Sequence, residues 1–268
     1  MSSPGSAIRL SAPSAGETWS VPVLHEDSRL LAVDKPAGLL TSPDRYDPER
    51  PNLMKLLHRD IERKADWAAK RGLDYLANAH RLDFETSGVL LLAKDKPALV
   101  ALANQFGTAH PDKVYVALVQ GVPEEDAFEV DLKLKPDPRM PGRMRWARDG
   151  KQSLTRFTVV KRFRGTSLVE CRPVTGRTHH IRVHLKAAGF PIYADDHYGD
   201  GKMLYLSSIK RAYRLKDGAE ERPLTPSLAL HAWKLTVTHP ETSLPVTITA
   251  PWPKDLEVAV KYLRRYAG

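Results

Sequence analysis

The segment HRLDFETSG at residues 80–88 places one carboxylate, Asp83, between an arginine and a Thr-Ser-Gly run, directly before the apolar stretch VLLLA. Asp, Thr, Ser and Gly favour turns and helix caps through local hydrogen bonds and permissive backbone angles, so one interpretation is structural. An aspartate beside a cation can also act as a nucleophile, because the positive charge keeps the carboxylate ionised. The segment alone leaves both interpretations open.

Two further polar side chains stand in apolar segments far along the chain: Tyr115 in KVYVALVQG and Arg182 in GRTHHIRVHL. Taken singly, Tyr115 is typical of a core aromatic and Arg182 of an exposed helix residue. Taken with Asp83, they suggest a cleft. An arginine there would hold the carboxylate in its charged form, and a tyrosine would offer an aromatic face to a base and a hydroxyl for proton transfer.

Other reactive patterns are absent or incomplete. No stretch matches GxxxxGK[ST], GxGxxG or GxSxG, which disfavours nucleotide-driven chemistry and a serine hydrolase. His179, His180 and His184 are the candidate metal ligands, since the last two are spaced i,i+4 on a helix. Ile181 stands where a zincin would carry its glutamate. We therefore prefer structural or RNA-facing histidines, and we expect neither a metal nor a cofactor.

The charge of the chain is uneven. The 268 residues carry a formal net charge of +9, and the segment 131–165 alone holds eleven basic and three acidic residues. A solvated loop and strand would explain this, but such concentration is typical of a surface that follows the phosphates of a polyanion. We therefore expect a polyanionic partner and binding that weakens with salt.

The elements that must position these residues alternate between strands and helices. Apolar spacing predicts helices after Asn52, from Lys96 and from Thr178 to Gly189, and a last one near the C-terminus. Strand patterns predict a strand-rich α/β (α+β) fold, with residues 1–20 as a flexible tail and one domain over 21–268. The chain has one cysteine, no secretory signal pattern and no apolar run of 18 residues, so we expect a cytoplasmic protein.

Seven motifs in order resemble the RluA family of RNA pseudouridine synthases, over residues 21 to the end. They are VDKPAGLLTSP, HRLDFETSG, KVYVALVQG, the spaced pattern RM…GKxSxT at 143–155, GRTHHIRVHL, PIYADDHYG and ALHAWKLTVTHP. Three departures from the family pattern are Phe84 for a basic residue, His180 for Gln and Ala194 for Gly. The first bears on contacts to flanking nucleotides.

The resemblance implies a single pseudouridine synthase domain, in which a mixed, largely antiparallel sheet with flanking helices surrounds a central RNA-binding cleft. It implies Asp83 as nucleophile, Tyr115 stacking on uracil and moving a proton, and Arg182 paired with Asp83. It implies Arg81 as the side chain that replaces the flipped uridine. The remaining implied substrate-binding residues are His80, Thr86, Lys151, Arg177 and Thr178.

The implied activity is cofactor-independent isomerisation of uridine to pseudouridine in tRNA or rRNA, by a protein we expect to be a monomer. Whether Asp83 attacks the ring or the anomeric carbon, or assists formation of a glycal, stays open at this stage. Two alternatives are a catalytically silent RNA-binding protein of the same fold and a glycosidase-type hydrolase. The intact set of Asp83, Tyr115 and Arg182 disfavours the first, and the lack of a second acid/base carboxylate disfavours the second.

Overall fold

The computed structural model describes residues 7–44, 47–109, 111–215 and 218–268. These residues form two compact units. The first contains the chain up to Asp112 together with Ala232–Pro251, and the second contains Lys113–His231 and Trp252–Gly268. The sequence predicts one domain over 21–268 and does not indicate this division, because each unit is completed by a segment from a distant part of the chain.

The first unit is built on strands in the order β1-β2-β3-β5-β11, with β12 paired to β11 and β4 paired to β5. The pairs β1–β2, β2–β3, β3–β5, β4–β5 and β11–β12 are antiparallel. Its strands are β1 (Ala7–Ala12), β2 (Glu17–Glu26), β3 (Leu30–Lys35), β4 (Ala77–Asn78), β5 (Ser87–Ala93), β11 (Leu230–Thr238) and β12 (Pro245–Thr249), and its helices are α1 (Leu53–Glu62), α2 (Asp66–Ala69) and α3 (Lys96–Asn104). Leu30, Leu91 and Leu235 belong to one buried cluster that the helix residue Leu102 joins.

The second unit has the antiparallel strand order β6-β10-β9-β7-β8. Its strands are β6 (Asp112–Gln120), β7 (Ala127–Pro136), β8 (Met144–Trp146), β9 (Lys151–Phe163) and β10 (Thr166–Pro173), and its helices are α4 (His180–Ala187), α5 (Leu206–Ile209) and α6 (Lys254–Tyr266). Helix α4 packs against β7, β8, β9 and β10. The predicted α+β class with a mixed sheet and flanking helices is confirmed.

Two predictions about local structure are wrong. The predicted tail covers residues 1–20, of which 1–6 lie outside the described residues. Residues 7–20 are not a tail, because β1 pairs with β2 from Ala7 opposite Pro22 to Ala12 opposite Glu17. Alternate residues Ile8 and Leu10 are buried, a pattern that is too short to stand out between Ser-, Pro- and Gly-rich flanks. Helix α4 begins at His180 rather than Thr178, since His179 adopts a left-handed conformation with φ 54°.

Candidate functional site

Asp83 lies on a loop in the first unit that hydrogen bonds hold on both sides. The Thr41 hydroxyl donates to the Leu82 carbonyl at 2.9 Å and accepts the Leu82 N–H at 3.1 Å. On the other side, the Gly38 N–H donates to the Phe84 carbonyl at 2.9 Å. Asp83 itself is half-buried, and its carbonyl accepts the Thr86 N–H at 3.2 Å. The loop is therefore a rigid support for one partly accessible carboxylate.

Lys35, at the end of β3, is fully buried beneath this loop, with 0% exposure. Its Nζ donates to the carbonyls of Leu39 at 2.6 Å, Pro36 at 2.8 Å and Phe84 at 3.4 Å. Burial lowers the Lys35 pKa to about 7, although the charges of Asp83 and others nearby oppose that shift. The motif VDKPAGLLTSP was recognised in the sequence, but a link between its lysine and the Asp83 loop could not be inferred from it.

The other predicted residues of this unit differ in their surroundings. The His80 Nε2 accepts the Leu91 N–H at 3.0 Å and the ring stacks on Phe106 at 4.8 Å, so His80 anchors the loop to β5. Arg81 is exposed, and among the described residues it has no ion-pair or hydrogen-bond partner for its guanidinium. The Thr86 hydroxyl is buried without a hydrogen-bond partner in the described part of the chain.

Arg182 of α4 lies in the second unit and is buried, with 1% exposure. It makes a bidentate ion pair with Asp195, at 2.9 Å from Nε to Oδ2 and 2.8 Å from a terminal nitrogen to Oδ1. Asp195 Oδ1 also accepts the N–H groups of His197 and Tyr198, both at 3.0 Å. These hydrogen bonds and the arginine charge hold the Asp195 pKa below its usual value, against the opposing effect of burial. Arg182 is thus not the exposed helix residue that its position alone suggests.

The loop at 195–198 also holds the β7–β8 hairpin. The Tyr198 hydroxyl accepts the Met144 N–H at 2.8 Å and lies 2.9 Å from His179 Nδ1. Arg143 donates to the His197 carbonyl at 2.8 Å. One loop, residues 195–198, therefore supplies both the ion-pair partner of Arg182 and the contacts that hold the β7–β8 hairpin.

Tyr115 is half-buried on β6, opposite Cys171 of β10, and is not a fully buried core aromatic. Lys113 lies two residues before it on the same strand face, with Nζ 3.4 Å from the Thr175 carbonyl. Burial lowers the Lys113 pKa to about 8. Sequence reasoning missed this lysine, since a lysine opening a strand gives no signal of burial.

Arg177, Thr178 and Lys151 are exposed in the second unit. The Arg177 Nε lies 3.4 Å from the carbonyl of Gln152, the residue after Lys151. The structure therefore brings Arg177 close to the start of β9. Thr178 precedes the left-handed His179 at the entrance to α4.

The remaining histidines of α4 have protein partners. His184 lies 3.1 Å from the Ser153 hydroxyl through Nε2 and 2.9 Å from the Thr155 hydroxyl through Nδ1. His180 Nδ1 accepts the Arg177 N–H at 3.1 Å. Burial lowers the pKa of His180 to about 3 and that of His184 to about 4, so both rings are neutral at pH 7. His184 therefore joins α4 to β9, and His180 holds the loop that leads into α4.

The basic segment divides into paired and unpaired cations. Lys135 pairs with Asp149 at 2.7 Å, Arg156 with Glu129 at 3.2 Å and Arg162 with Asp126 at 2.6 Å. The basic side chains that are exposed and have no carboxylate within 4.0 Å among the described residues are Lys133, Arg139, Arg145, Arg148, Lys151, Lys161 and Arg164. Most of the unpaired charge therefore lies between residues 133 and 151.

Comparison with known proteins identifies the class. Residues 29–187 match the family model for RNA pseudouridylate synthase, so the chain belongs to that family. It is 30% identical to the uncharacterized RNA pseudouridine synthase YlyB of Bacillus subtilis, over 98% of this chain and 81% of that protein. It is 34% identical to the dual-specificity RNA pseudouridine synthase RluA of Escherichia coli K12, over 88% of this chain and 94% of that protein.

A third relative is ribosomal large subunit pseudouridine synthase D of Xylella fastidiosa, 33% identical over 87% of this chain and 66% of that protein. Among solved structures, human RNA pseudouridylate synthase domain containing 4 superposes with a TM-score of 0.69 at 26% identity, covering 90% of this chain and 92% of that one. The resemblance inferred from the motifs is confirmed: the protein is an RNA pseudouridine synthase, an isomerase that acts on RNA. None of the described helices combines the length and apolar character that a membrane span requires.

Proposed function

We propose that this enzyme isomerises uridines of tRNA or ribosomal RNA with Asp83 as its nucleophile. The observation that carries the assignment is the Asp83 loop, in which a half-buried carboxylate is held between the buried Thr41–Leu82 contacts and the buried Lys35. A nucleophile must be held in a fixed position and stay partly accessible to substrate. Tyr115 and Arg182 complete the catalytic set in this proposal, as the family motifs imply.

Arg81 is proposed to fill the gap that the flipped uridine leaves in the RNA stack. Removing a base from its stack costs a few kcal/mol, and an inserted side chain recovers part of that cost. The exposed Arg81 guanidinium has no partner within the described residues that it would have to leave. Arg81→Ala should therefore raise KM, while Arg9→Ala, a change of an exposed arginine on β1, should not.

The nucleophile assignment is tested with Asp83→Asn. We expect product formation to fall by at least on the order of a thousandfold, because covalent catalysis is removed, while RNA binding is retained. Glu85→Gln is the matched control, since it changes another half-buried carboxylate two residues away. Asp83→Asn enzyme that forms product at the wild-type rate would overturn the assignment.

The substrate class rests on the relatives, one of which is named for the large ribosomal subunit. Purified tRNA and ribosomal RNA transcripts, incubated separately with the enzyme and mapped for pseudouridine, test it directly. Product in either pool is expected, and its absence from both would reject this substrate class. We further propose that the protein acts as a monomer in the cytoplasm, to be checked by sedimentation and by localisation of a tagged chain.

A further inference from the structure

Trp146 is the tryptophan that the fold leaves most open to solvent. Its exposed fraction is 54%, while the other four tryptophans of the chain are only partly exposed. A large apolar side chain so exposed on the end strand of a sheet loses hydrophobic free energy that burial would provide. The position calls for a ligand that offers a flat apolar surface.

The surroundings of Trp146 indicate the charge of that ligand. Its neighbours Arg145 and Arg148 are exposed and, within the described chain, have no carboxylate in ion-pair distance. In the strand register, Trp146 lies opposite Leu134 of β7, and Leu134 lies opposite Lys151 of β9. Residues directly opposite in an antiparallel sheet share a face, so Trp146 and Lys151 flank the buried Leu134 on one face.

The strand that carries Trp146 is held firmly. Two residues earlier, the Met144 N–H donates to the Tyr198 hydroxyl at 2.8 Å, and Arg143 donates to the His197 carbonyl at 2.8 Å. The indole is therefore presented by an anchored strand. Little backbone freedom of this strand would therefore be lost on binding.

We propose that Trp146 is a stacking platform for an unpaired nucleobase of the RNA substrate, with the adjacent cations contacting the flanking phosphates. The inference rests on RNA being the substrate and does not depend on Asp83 being the nucleophile. An aromatic face interleaved with unpaired cations matches the two chemical features of single-stranded RNA. A base paired within a helix has both faces covered by its neighbours, so the platform should select single-stranded segments.

Stacking and phosphate contact can be separated by their salt dependence. The probe is a short fluorescein-labelled oligouridylate, with a duplex of equal length for comparison, measured by fluorescence anisotropy. Trp146→Ala should raise the Kd for the single strand about 5- to 150-fold, the range for one base stacked on an aromatic side chain. The slope of log Kd against log salt should stay unchanged, because no phosphate contact is lost.

Three variants serve as controls. Arg145→Gln should lower that slope by about 0.7, the effect of one lost phosphate contact on a single strand. Trp146→Phe should keep part of the affinity, because phenylalanine still offers an aromatic face to a base. It also keeps a large apolar ring opposite Leu134, so this variant separates loss of stacking from local destabilisation of the strand. Val160→Ala, a change of another exposed apolar side chain at 51% exposure, should leave the Kd unchanged.

The proposal would be overturned if Trp146→Ala bound the single strand with wild-type affinity. It would also be overturned if Trp146→Ala lost as much affinity as Arg145→Gln and showed the same change in the slope of log Kd against log salt. An equal loss on the duplex would also overturn it. Asp83→Asn enzyme should bind the oligouridylate as wild type does. The binding test of the Trp146 variants can therefore be interpreted even if the nucleophile assignment fails.

Discussion

The buried pair between Arg182 and Asp195 makes the most direct prediction about stability. Both side chains are 1% exposed, and the carboxylate also accepts two backbone N–H groups. Removing the Asp195 carboxylate takes away the bidentate partner of a buried guanidinium, and breaking a buried pair in this way typically costs about 3–5 kcal/mol. We therefore expect Asp195→Ala to lower the free energy of unfolding by about that amount, out of a total that for natural domains is about 5–15 kcal/mol.

The assay is urea unfolding of Asp195→Ala, Asp195→Asn, Arg182→Met and the double variant Asp195→Asn/Arg182→Met. The asparagine keeps an oxygen that can accept the two N–H groups, so it separates loss of charge from loss of those hydrogen bonds. In the double variant both charges of this pair are absent, and the cycle should show a coupling of about 1–3 kcal/mol. A cost of Asp195→Ala below about 1 kcal/mol would refute the reasoning, because it would mean that the pair is not buried in solution.

The same pair has a defined pH dependence. The folded-state pKa of Asp195 lies below its unfolded value, so its contribution is complete above the unfolded pKa near 4 and is lost as pH falls through the folded pKa. Unfolding midpoints of the wild type and Asp195→Asn should therefore converge as the pH falls below about 4. Equal separation of the two midpoints at neutral and strongly acidic pH would contradict this account.

Three further predictions concern the backbone and the buried lysine. Gly88→Ala should unfold the protein or destabilise it by more than about 3 kcal/mol, since a Cβ at φ 115° would lie 2.8 Å from backbone atoms of Ala232; circular dichroism and urea melts will show it. Ala194→Gly should raise the unfolding free energy by up to about 1 kcal/mol, because Ala194 has φ 56°, where alanine is strained; an unchanged urea midpoint would argue against strain. Lys35 has a folded pKa of about 7, below its unfolded value of 10.5, so its stability contribution rises with pH between those values. The wild type should gain about 2 kcal/mol relative to Lys35→Met from pH 7 to pH 9, and parallel pH profiles would refute it.

Much of the local structure and the chemistry could be predicted from the sequence. Apolar spacing predicts α1 after Asn52, whose side chain does cap the helix, and the run before Lys94 predicts β5. These predictions succeed because helix and strand periodicities depend on neighbours a few residues apart. The ordered motifs also identified the family, because seven patterns in sequence restrict the choice far more than any one of them does.

Only the tertiary structure shows which groups support the candidate site. Lys35 binds the Phe84 carbonyl across 49 residues, and Asp195 pairs with Arg182 once the 195–198 loop folds back on α4. Neither contact has a local signal, because burial and ion-pair geometry depend on segments that meet only in the folded chain. The same holds for Trp146: its exposure on a strand whose cations lack acidic partners depends on the register of β7, β8 and β9, which its sequence neighbours do not determine.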